Sequence, residues 1–349
     1  YSIDRKDRNH LNPVGVAGLN SANDLSKNVF SFNYEALTLN DRLTTNLFYK
    51  IYQQSIGNIS YTGVVEDNQT SIVKNETKDN RKNHGYGIAA SYRINPRIVL
   101  LASAEHAVRM PEGAETFGSP EDNVIANPGI SPEVSDNLNT GLRVGMFEFN
   151  GHKVSASANV FWRNTKDRIM ARANDMLNSQ EIELTQYINL GRSQSVGFEG
   201  ELSYAYQDKL MLNFNFSKFN SLFKQEFDPA SGQPMTYYNK QIPNEPFYTM
   251  NGNVHYKLDN IFQKASQLNL FYTVGYVAPF NTIWPESDWF ITPKQYAQNL
   301  GMSYVFPTQK FILSLDIKNL FNAELYDNFG VQKPGRGFYL KLNYSLNKI

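Results

Sequence analysis

The chain has 349 residues, and its 33 Lys and Arg residues balance 33 Asp and Glu residues, so the formal net charge is zero. A nucleic-acid-binding protein would normally carry a basic excess, and no apolar run approaches the roughly 18 residues that a transmembrane helix needs. Cysteine is absent, which excludes disulfide scaffolds and thiolate metal sites.

Alternating apolar and polar residues, bounded by turn signals, predict about thirteen β-strands. We expect them near residues 28–38, 42–54, 85–95, 97–108, 135–147, 153–164, 187–206, 210–219, 246–257, 267–278, 293–306, 310–320 and 337–346. Aromatic residues make up 13% of the chain, which is typical of the aromatic girdles of a membrane-embedded barrel.

The predicted strands have two different faces. In the first of them, Phe30, Phe32 and Tyr34 lie on one face, and Asn33 and Glu35 lie on the other. The last strand repeats the alternation over enough residues to cross a bilayer at a tilt, which takes about 9–11. The pattern therefore predicts an all-β, antiparallel transmembrane barrel with lipid outside and a wet or plugged lumen inside.

The connections between the predicted strands alternate in length. Short turns are predicted at 39–41, 95–97, 150–152, 207–209 and 307–309. Long loops are predicted at 55–84, 109–134, 165–186, 220–245, 279–292 and 321–336. Alternating short and long connections are typical of an outer-membrane barrel, with periplasmic turns and extracellular loops.

The strand count bears on the extent of the domain. Thirteen antiparallel strands would leave the first and last strands parallel, which is a poor seam in a bacterial barrel. We therefore expect residues 1–349 to be the C-terminal portion of a longer barrel, with residues 1–27 the tail of an extracellular loop and the plug domain absent.

Three clusters of residues resemble those of the TonB-dependent outer-membrane transporters. The first is Ala107–Pro111 with Glu115 behind it, and the second is Ala126–Glu133. The third is Asp316–Asn322, continued by Tyr326-Asp327 and by Pro334-Gly335-Arg336-Gly337-Phe338. A weaker fourth cluster is Asn189–Gly191 followed by Gly197-Phe198-Glu199.

This resemblance implies a C-terminal portion, about thirteen strands, of a 22-stranded plugged barrel. It implies active import at the bacterial outer membrane, with no enzymatic activity and no cofactor. Ferric siderophore is the first expected cargo, ahead of glycan, cobalamin and haem. The implied partners are TonB, reached through an N-terminal segment with no match here, the protein's own plug and outer-membrane lipid. A surface lipoprotein is left open as a partner, and nucleic acid is not expected.

The candidate residues for contacts with the plug or lumen fall into two groups. Arg109 and Glu115 follow the rim of a strand and are expected to form a structural ion pair or to hold the plug. The inward-facing charged residues either contact the plug or simply keep the lumen polar; these are Arg143, Glu199, Glu201, Asp316 and Lys318.

The candidate ligand-binding residues lie on the predicted extracellular loops. They are Tyr237, Tyr238, Trp284, Trp289, Phe290 and Arg172. Rigid aromatic side chains supply contact area at low entropic cost, although the same residues could pack loop against loop. Arg172 could bind an anionic ligand through its guanidinium or be an exposed charge.

Two other classes of protein were weighed against the importer. An outer-membrane barrel enzyme would need either clustered acidic residues with His, or Ser with His, on neighbouring strand rims, whereas His106 and His152 lie near opposite ends of their strands. A soluble all-β binding module, such as a propeller, would carry a repeat with a motif in each blade, and none is present.

Overall fold

The computed structural model describes residues 2–10, 21–66, 69–119, 122–177, 183–228, 231–282, 284, 291–327 and 331–346. One short helix, α1 (Gly113–Phe117), accompanies the strands. The strands are β1 (Ser2–His10), β2 (Ser21–Thr38), β3 (Leu43–Glu66), β4 (Gln69–Asn95), β5 (Ile98–Arg109), β6 (Val124–Ile125), β7 (Glu133–Phe149), β8 (His152–Lys166), β9 (Ile169–Leu177), β10 (Glu183–Asn189), β11 (Ser193–Tyr206), β12 (Leu210–Phe223), β13 (Tyr248–Asp259), β14 (Gln267–Val277), β15 (Phe280–Asn281), β16 (Ile291–Thr292), β17 (Gln295–Val305), β18 (Phe311–Lys318) and β19 (Gly337–Tyr344).

Fourteen of these strands form one sheet, in the order β1-β2-β3-β4-β5-β7-β8-β11-β12-β13-β14-β17-β18-β19. Each strand pairs antiparallel with the next one along the chain. The predicted all-β antiparallel fold is therefore confirmed. The count is fourteen and not thirteen, so the parity argument from an odd number of strands does not apply.

The extra strand, β1, lies in the range 1–27 that was predicted to be a loop. It pairs with the start of β2, from Ser2 opposite Val29 to His10 opposite Ser21. The prediction was wrong there because the segment Ser21–Asn28 is mostly polar and has no alternating apolar face. Backbone hydrogen bonds need no such face, so a ladder can form where the side-chain pattern gives no signal.

The predicted loop 55–84 is also wrong for the same reason. β3 and β4 continue pairing without a break from Leu43 opposite Tyr92 to Glu66 opposite Gln69. The two strands form a long ribbon that extends past the part of the sheet with a regular apolar face. The alternation marks only the part of a strand that has one apolar face.

The two predicted faces are confirmed by the register. Phe32 lies opposite Tyr49, Tyr49 opposite Tyr86, and Leu138 opposite Trp162, so apolar side chains share one side of the sheet. This apolar face is uncovered, and Leu340 at its far edge is 74% exposed. The opposite side, the polar face, carries Asn, Ser, Thr and charged residues. An exposed apolar face of this extent needs a covering layer.

The connections divide between the two ends of the sheet as predicted. The short turns at Asn150-Gly151 and Gln207-Asp208 have positive φ angles at both positions, of 47° and 82° and of 47° and 54°. Such turns join adjacent antiparallel strands with the correct twist. The β13–β14 connection, 260–266, lies at the same end as these turns, and the connections of the main sheet that follow β5, β8, β12, β14 and β18 lie at the other end, which we call the long-loop end.

The buried side chains are concentrated at the long-loop end. Leu25, Ile56 and Phe117 form a cluster with 0–8% exposure, and Ile130 is fully buried. Leu25 and Ile56 are on the polar face, so the segment 110–132 folds onto that face. No helix in the described part of the chain is long and apolar enough to cross a membrane.

Candidate functional site

Two loops, the β5–β7 and β8–β11 connections, meet at the long-loop end through a small second sheet. β10 pairs parallel with β6 and antiparallel with β9. The chain leaves this sheet at 190–192, where Gly191 has a φ of 99°, and enters the main sheet as β11. The predicted single strand 187–206 is therefore two strands in different sheets, which are interrupted at a residue whose backbone conformation favours glycine.

Asn189 also holds these two loops together. Its Nδ2 donates to the carbonyl oxygens of Ser131 at 2.9 Å and Asp167 at 2.8 Å, and its Oδ1 accepts the Ser131 N–H at 2.8 Å. Three hydrogen bonds from one amide fix the position of the β5–β7 loop against the start of the β8–β11 loop. This explains why the resemblance includes an asparagine at this position.

Arg109 and Glu115, predicted as a rim pair, do come together, and Glu133 joins them. The Arg109 guanidinium donates to both oxygens of Glu115 at 3.0 and 3.1 Å and to both oxygens of Glu133 at 2.9 and 3.1 Å. Glu115 also accepts the Glu112 N–H at 2.7 Å, and Glu133 accepts the Ile169 N–H at 2.6 Å. This network ties the end of β5 to α1, β7 and β9.

The segment 110–132 is also tied to the strands β2, β3 and β4. Gln54, which is buried, donates to the Pro111 carbonyl at 3.3 Å, and the buried Lys27 lies 3.3 Å from Glu112 Oε1. Arg81 donates to the carbonyl oxygens of Ile130 and Pro128. The polar contacts between this loop and the strands are thus mainly hydrogen bonds from cationic or amide side chains of the strands to backbone carbonyl oxygens of the loop.

A second ion pair connects the next two loops. Arg168, which precedes β9, pairs with Glu245 in the β12–β13 loop and also donates to Ser221 Oγ at 3.4 Å. Gln241 Oε1 accepts the Ser221 N–H at 3.1 Å. Side chains from three connections of the main sheet, β5–β7, β8–β11 and β12–β13, are therefore linked at this end.

The predicted aromatic ligand residues separate into different environments. The rings of Tyr237 and Trp284 are stacked, with 4.5 Å between their centroids. The Trp284 ring also contacts the ring of the fully buried Phe223, with 5.6 Å between centroids. Tyr238 is 38% exposed, and Arg172 is exposed on β9. Trp289 and Phe290 lie outside the described residues. Tyr237 and Trp284 therefore pack loop against loop.

The predicted lumen residues lie on the polar face in two separate places. Glu199 and Glu201 line a hollow of about 420 Å³, and Glu201 also lines a neighbouring hollow of about 220 Å³ with Arg143. Asp316 and Lys318 are on β18, which β12, β13, β14 and β17 separate from β11. Within the described ranges, no three His, Cys, Asp or Glu residues are grouped as a metal site requires.

The third sequence cluster forms the start and end of the β18–β19 loop. Asn319 has a positive φ of 50° and bonds the Ala323 backbone twice, at 2.8 Å each. Asn322 Oδ1 accepts the Arg336 N–H at 2.9 Å, and a Cβ at Gly335 would lie only 2.6 Å from that oxygen. A side chain at position 335 would therefore displace the Asn322 amide from this hydrogen bond. The hydrogen bond to Glu324 and that carboxylate's charge raise the pKa of Tyr326 in the same loop.

Several residues of this layer were not among the predicted site residues. Glu133 was recognised only as the start of a strand, and Arg168, Glu245 and Gln54 were not singled out. A charged residue directly before or after a predicted strand was the one available signal. Its partner is far away in the sequence, as with Arg168 and Glu245 at a separation of 77 residues, so the sequence could not identify the pair.

Comparison with known proteins gives a consistent result for the fold. The family described as "TonB dependent receptor-like, beta-barrel" matches residues 5–320. Comparison with curated proteins gives no match.

Solved structures of similar fold include the siderophore receptor PiuA from Acinetobacter baumannii, with 16% identity and a TM-score of 0.67, over 93% of this chain and 43% of that one. They include the closed form of the ferric-catecholate import receptor Fiu from E. coli K12, with 11% identity and a TM-score of 0.64, over 96% and 47%. They also include the Serratia marcescens hemophore receptor HasR in complex with HasA and heme, with 16% identity and a TM-score of 0.64, over 93% and 51%.

At these identities, the likeness is evidence for the fold. The chain spans 43–51% of the length of these three structures.

Proposed function

We propose that this chain, which belongs to the TonB-dependent receptor-like β-barrel family, is the C-terminal portion of an outer-membrane receptor that imports a scarce ligand. The observation that carries the proposal is the arrangement of the fourteen-stranded sheet. One face is apolar and uncovered, the other is polar, and the loops at one end fold onto the polar face. A barrel closed from such a sheet has a lipid-facing exterior and a polar lumen.

The exposed apolar face supports insertion in the outer membrane. Phe32, Leu138, Leu340 and Leu342 are between 55% and 74% exposed, which a water-soluble protein would rarely allow over so wide a surface. In a bilayer these side chains meet hydrocarbon, and the aromatic residues near the strand ends lie at the interface.

The polar face supports a lumen that holds a plug. Glu199, Glu201 and Arg143 line hollows whose remaining walls are Ser, Asn and Gly positions together with a few apolar residues. These are groups that pair with the backbone and side chains of another protein segment. The plug, and TonB acting through a segment N-terminal to it, are the partners that the family implies.

The layer of loops supports a rigid entrance. Ion pairs, the Asn189 amide and the aromatic stack join connections from different strands, so a ligand would meet a preformed surface. Tyr238 and Arg172 are the exposed predicted ligand residues of that surface, and Trp289 and Phe290 remain candidates. Ferric siderophore is the first cargo that we propose, since two of the solved structures named above are receptors for siderophore or ferric catecholate. Glycan, cobalamin and haem are ranked behind it.

The test is uptake of radiolabelled ferric siderophores by cells that carry the receptor and by cells from which it is deleted. We expect uptake that requires the receptor and is abolished by a protonophore, because TonB-dependent import draws on the proton-motive force of the inner membrane. Iron-limited growth on a panel of siderophores, haem, cobalamin and glycans identifies the cargo. Recovery of the receptor in the soluble fraction, or unchanged uptake of every panel member after deletion, would contradict the proposal.

A further inference from the structure

Three donor side chains form one row across the polar face at the long-loop end. Lys27 on β2 lies opposite Gln54 on β3, and Gln54 lies opposite Arg81 on β4, so the three side chains share a face and a level of the sheet. The side chains of Lys27 and Arg81 are only 9% and 17% exposed, and Gln54 is buried. We call these three residues the donor row.

Both ends of the segment 110–132 bind to the donor row through oxygen atoms. Lys27 and Gln54 engage its start, at residues 111–112, and Arg81 donates to two backbone carbonyls near its end. Because charged and amide donors meet acceptors at two separate points of the segment, they fix its position on the polar face.

The other side of this segment is held by the second sheet. Asn127 Nδ2 donates to the Tyr187 carbonyl at 2.8 Å, and Gln186 Nε2 donates to the Ala126 carbonyl at 3.0 Å. Together with the hydrogen bonds of Asn189, these contacts join the segment to β10 along its length.

Arg168 extends these contacts to the far side of the polar face. It lies between β8 and β9, and its pair with Glu245 reaches the connection between β12 and β13. In the main sheet, the strands β5, β7, β8 and β11 lie between β4 and β12. The segment 110–132, β9, β10 and Arg168, which we call the brace, therefore connect β2–β4 with the β12–β13 connection across four intervening strands.

We propose that the brace is a fixed part of the entrance and stays seated on the donor row while a ligand is imported. The inference rests on the proposed function, because import defines the cycle in which a lid would have to open. It goes beyond that function because it gives one entrance loop a permanent position. It also makes Lys27, Gln54 and Arg81 the positioning residues of that loop.

The burial under the segment 110–132 distinguishes a fixed brace from a lid. Elements that move have few buried apolar contacts, whereas Leu25, Ile56 and Phe117 are 0–8% exposed here and Ile130 is fully buried. Lifting the segment would return these side chains to water and break hydrogen bonds on both of its sides. A ligand can move an element only by the difference in its affinity for the two positions, so one ligand would have to offset both losses.

The first test measures how firmly the brace is seated in the full-length receptor in nanodiscs. The amides of Asn127, Ile130 and Ser131 each donate a hydrogen bond, so their hydrogen exchange reports opening of the segment. Arg81→Gln should increase this exchange about tenfold, as loss of a hydrogen bond from a charged donor predicts. Arg93→Gln, on the same strand and the same face but twelve residues further along, should leave the exchange unchanged. Wild-type exchange in Arg81→Gln would show that the donor row does not position the brace.

The second test locks the brace to the sheet. The chain has no cysteine, so Lys27→Cys with Glu112→Cys introduces two thiols where the ion pair was, and a short, reducible bifunctional thiol reagent joins them. Uptake of radiolabelled ferric siderophore should be the same before joining, after joining and after reduction, because a seated brace does not open. Joining the thiols in an Arg81→Gln background should return the exchange towards the wild-type rate, because the brace needs a fixed position and not the guanidinium itself.

The single-cysteine variants control for attachment of the reagent at one thiol, and mass spectrometry confirms that joining is complete. Loss of uptake on joining, restored by reduction, would overturn the fixed brace and make the segment a lid, while leaving the importer intact. If the wild-type receptor takes up no member of the ligand panel, the proposed function is contradicted instead. The exchange measurements would then still decide whether the donor row seats the brace.

Discussion

The long-loop end and the fourteen-stranded sheet, which we call the wall, are stabilised by different means. The most deeply buried large side chains, Phe223, Leu25, Ile56, Ile130 and Ile242, all lie at the long-loop end. In the wall, apolar side chains are exposed on one face and polar side chains lie on the other. The loops thus have a small conventional core, whereas the wall depends on its backbone ladder and on a layer that covers the apolar face from outside.

The two regions also use charge differently. At the long-loop end, Arg109 is shared between Glu115 and Glu133, and Arg168 pairs with Glu245. Along the polar face of the wall, Glu199, Glu201 and Asp316 have no ion pair with a described residue. The comparison teaches that the described parts of the loops pack against one another, whereas the wall presents unfilled surface on both sides.

The largest effect is expected from a charge on the apolar face of the wall. Val160→Arg should destabilise the receptor in lipid vesicles by about 2–4 kcal/mol, because an arginine would have to lie in hydrocarbon. Asn159→Arg, one residue away on the polar face, should have little effect. Denaturant unfolding in vesicles measures both. Equal effects of the two variants would show that the faces do not differ in environment.

A cavity at the long-loop end should act locally. Ile56→Ala removes a fully buried side chain and should reduce the free energy of local opening by roughly 2–3 kcal/mol, at the low end for such changes because the loop can relax. Hydrogen exchange of the amides of residues 116–130 is the measurement. Ile51→Ala, on the apolar face of the same strand, should leave this exchange unchanged. An equal rise in the exchange rate of these amides in both variants would contradict a local core around Ile56.

The ion network at Arg109 should show measurable coupling. In a double-mutant cycle, Arg109→Gln and Glu133→Gln should couple by about 1–2 kcal/mol, since the pair is bidentate but Arg109 is 42% exposed. The 3.6 Å pair of Lys257 and Asp259, near the short-turn end, is the control and should couple by less than about 1 kcal/mol. Coupling no larger at Arg109 than in the control would mean that the network adds no stability.

The smallest effect is expected from the aromatic stack. Tyr237→Leu should weaken loop packing by about 0.5–1.5 kcal/mol, the usual contribution of an aromatic pair beyond its buried area. Faster hydrogen exchange in residues 278–282 would report it. Tyr238→Leu should not change this exchange but should lower ligand uptake if the exposed ring contacts the cargo. If ligand uptake fell in Tyr237→Leu and not in Tyr238→Leu, the stacked rings would belong to the ligand-binding surface.

The sequence predicted the family, the two faces and the division between short turns and long loops. Each of these follows from local pattern: alternation sets which side chains share a face, and turn residues such as Asn150-Gly151 set where a strand ends. The pairing of Arg109 with Glu115 was also predicted, because only six residues separate them. The family prediction is confirmed, and the choice of cargo stays a prediction.

The tertiary structure alone decided how the long-loop end is built. The polar ribbon of β3 and β4 and the strand β1 have no side-chain alternation to indicate them, since backbone hydrogen bonds form independently of side-chain polarity. The contacts of Arg81 with Ile130 and of Asn189 with Ser131 join residues 49 and 58 positions apart. Such contacts depend on the path of the chain between them. The alternation of apolar and polar residues reflects only positions that are close in the sequence, so it carries no information about that path.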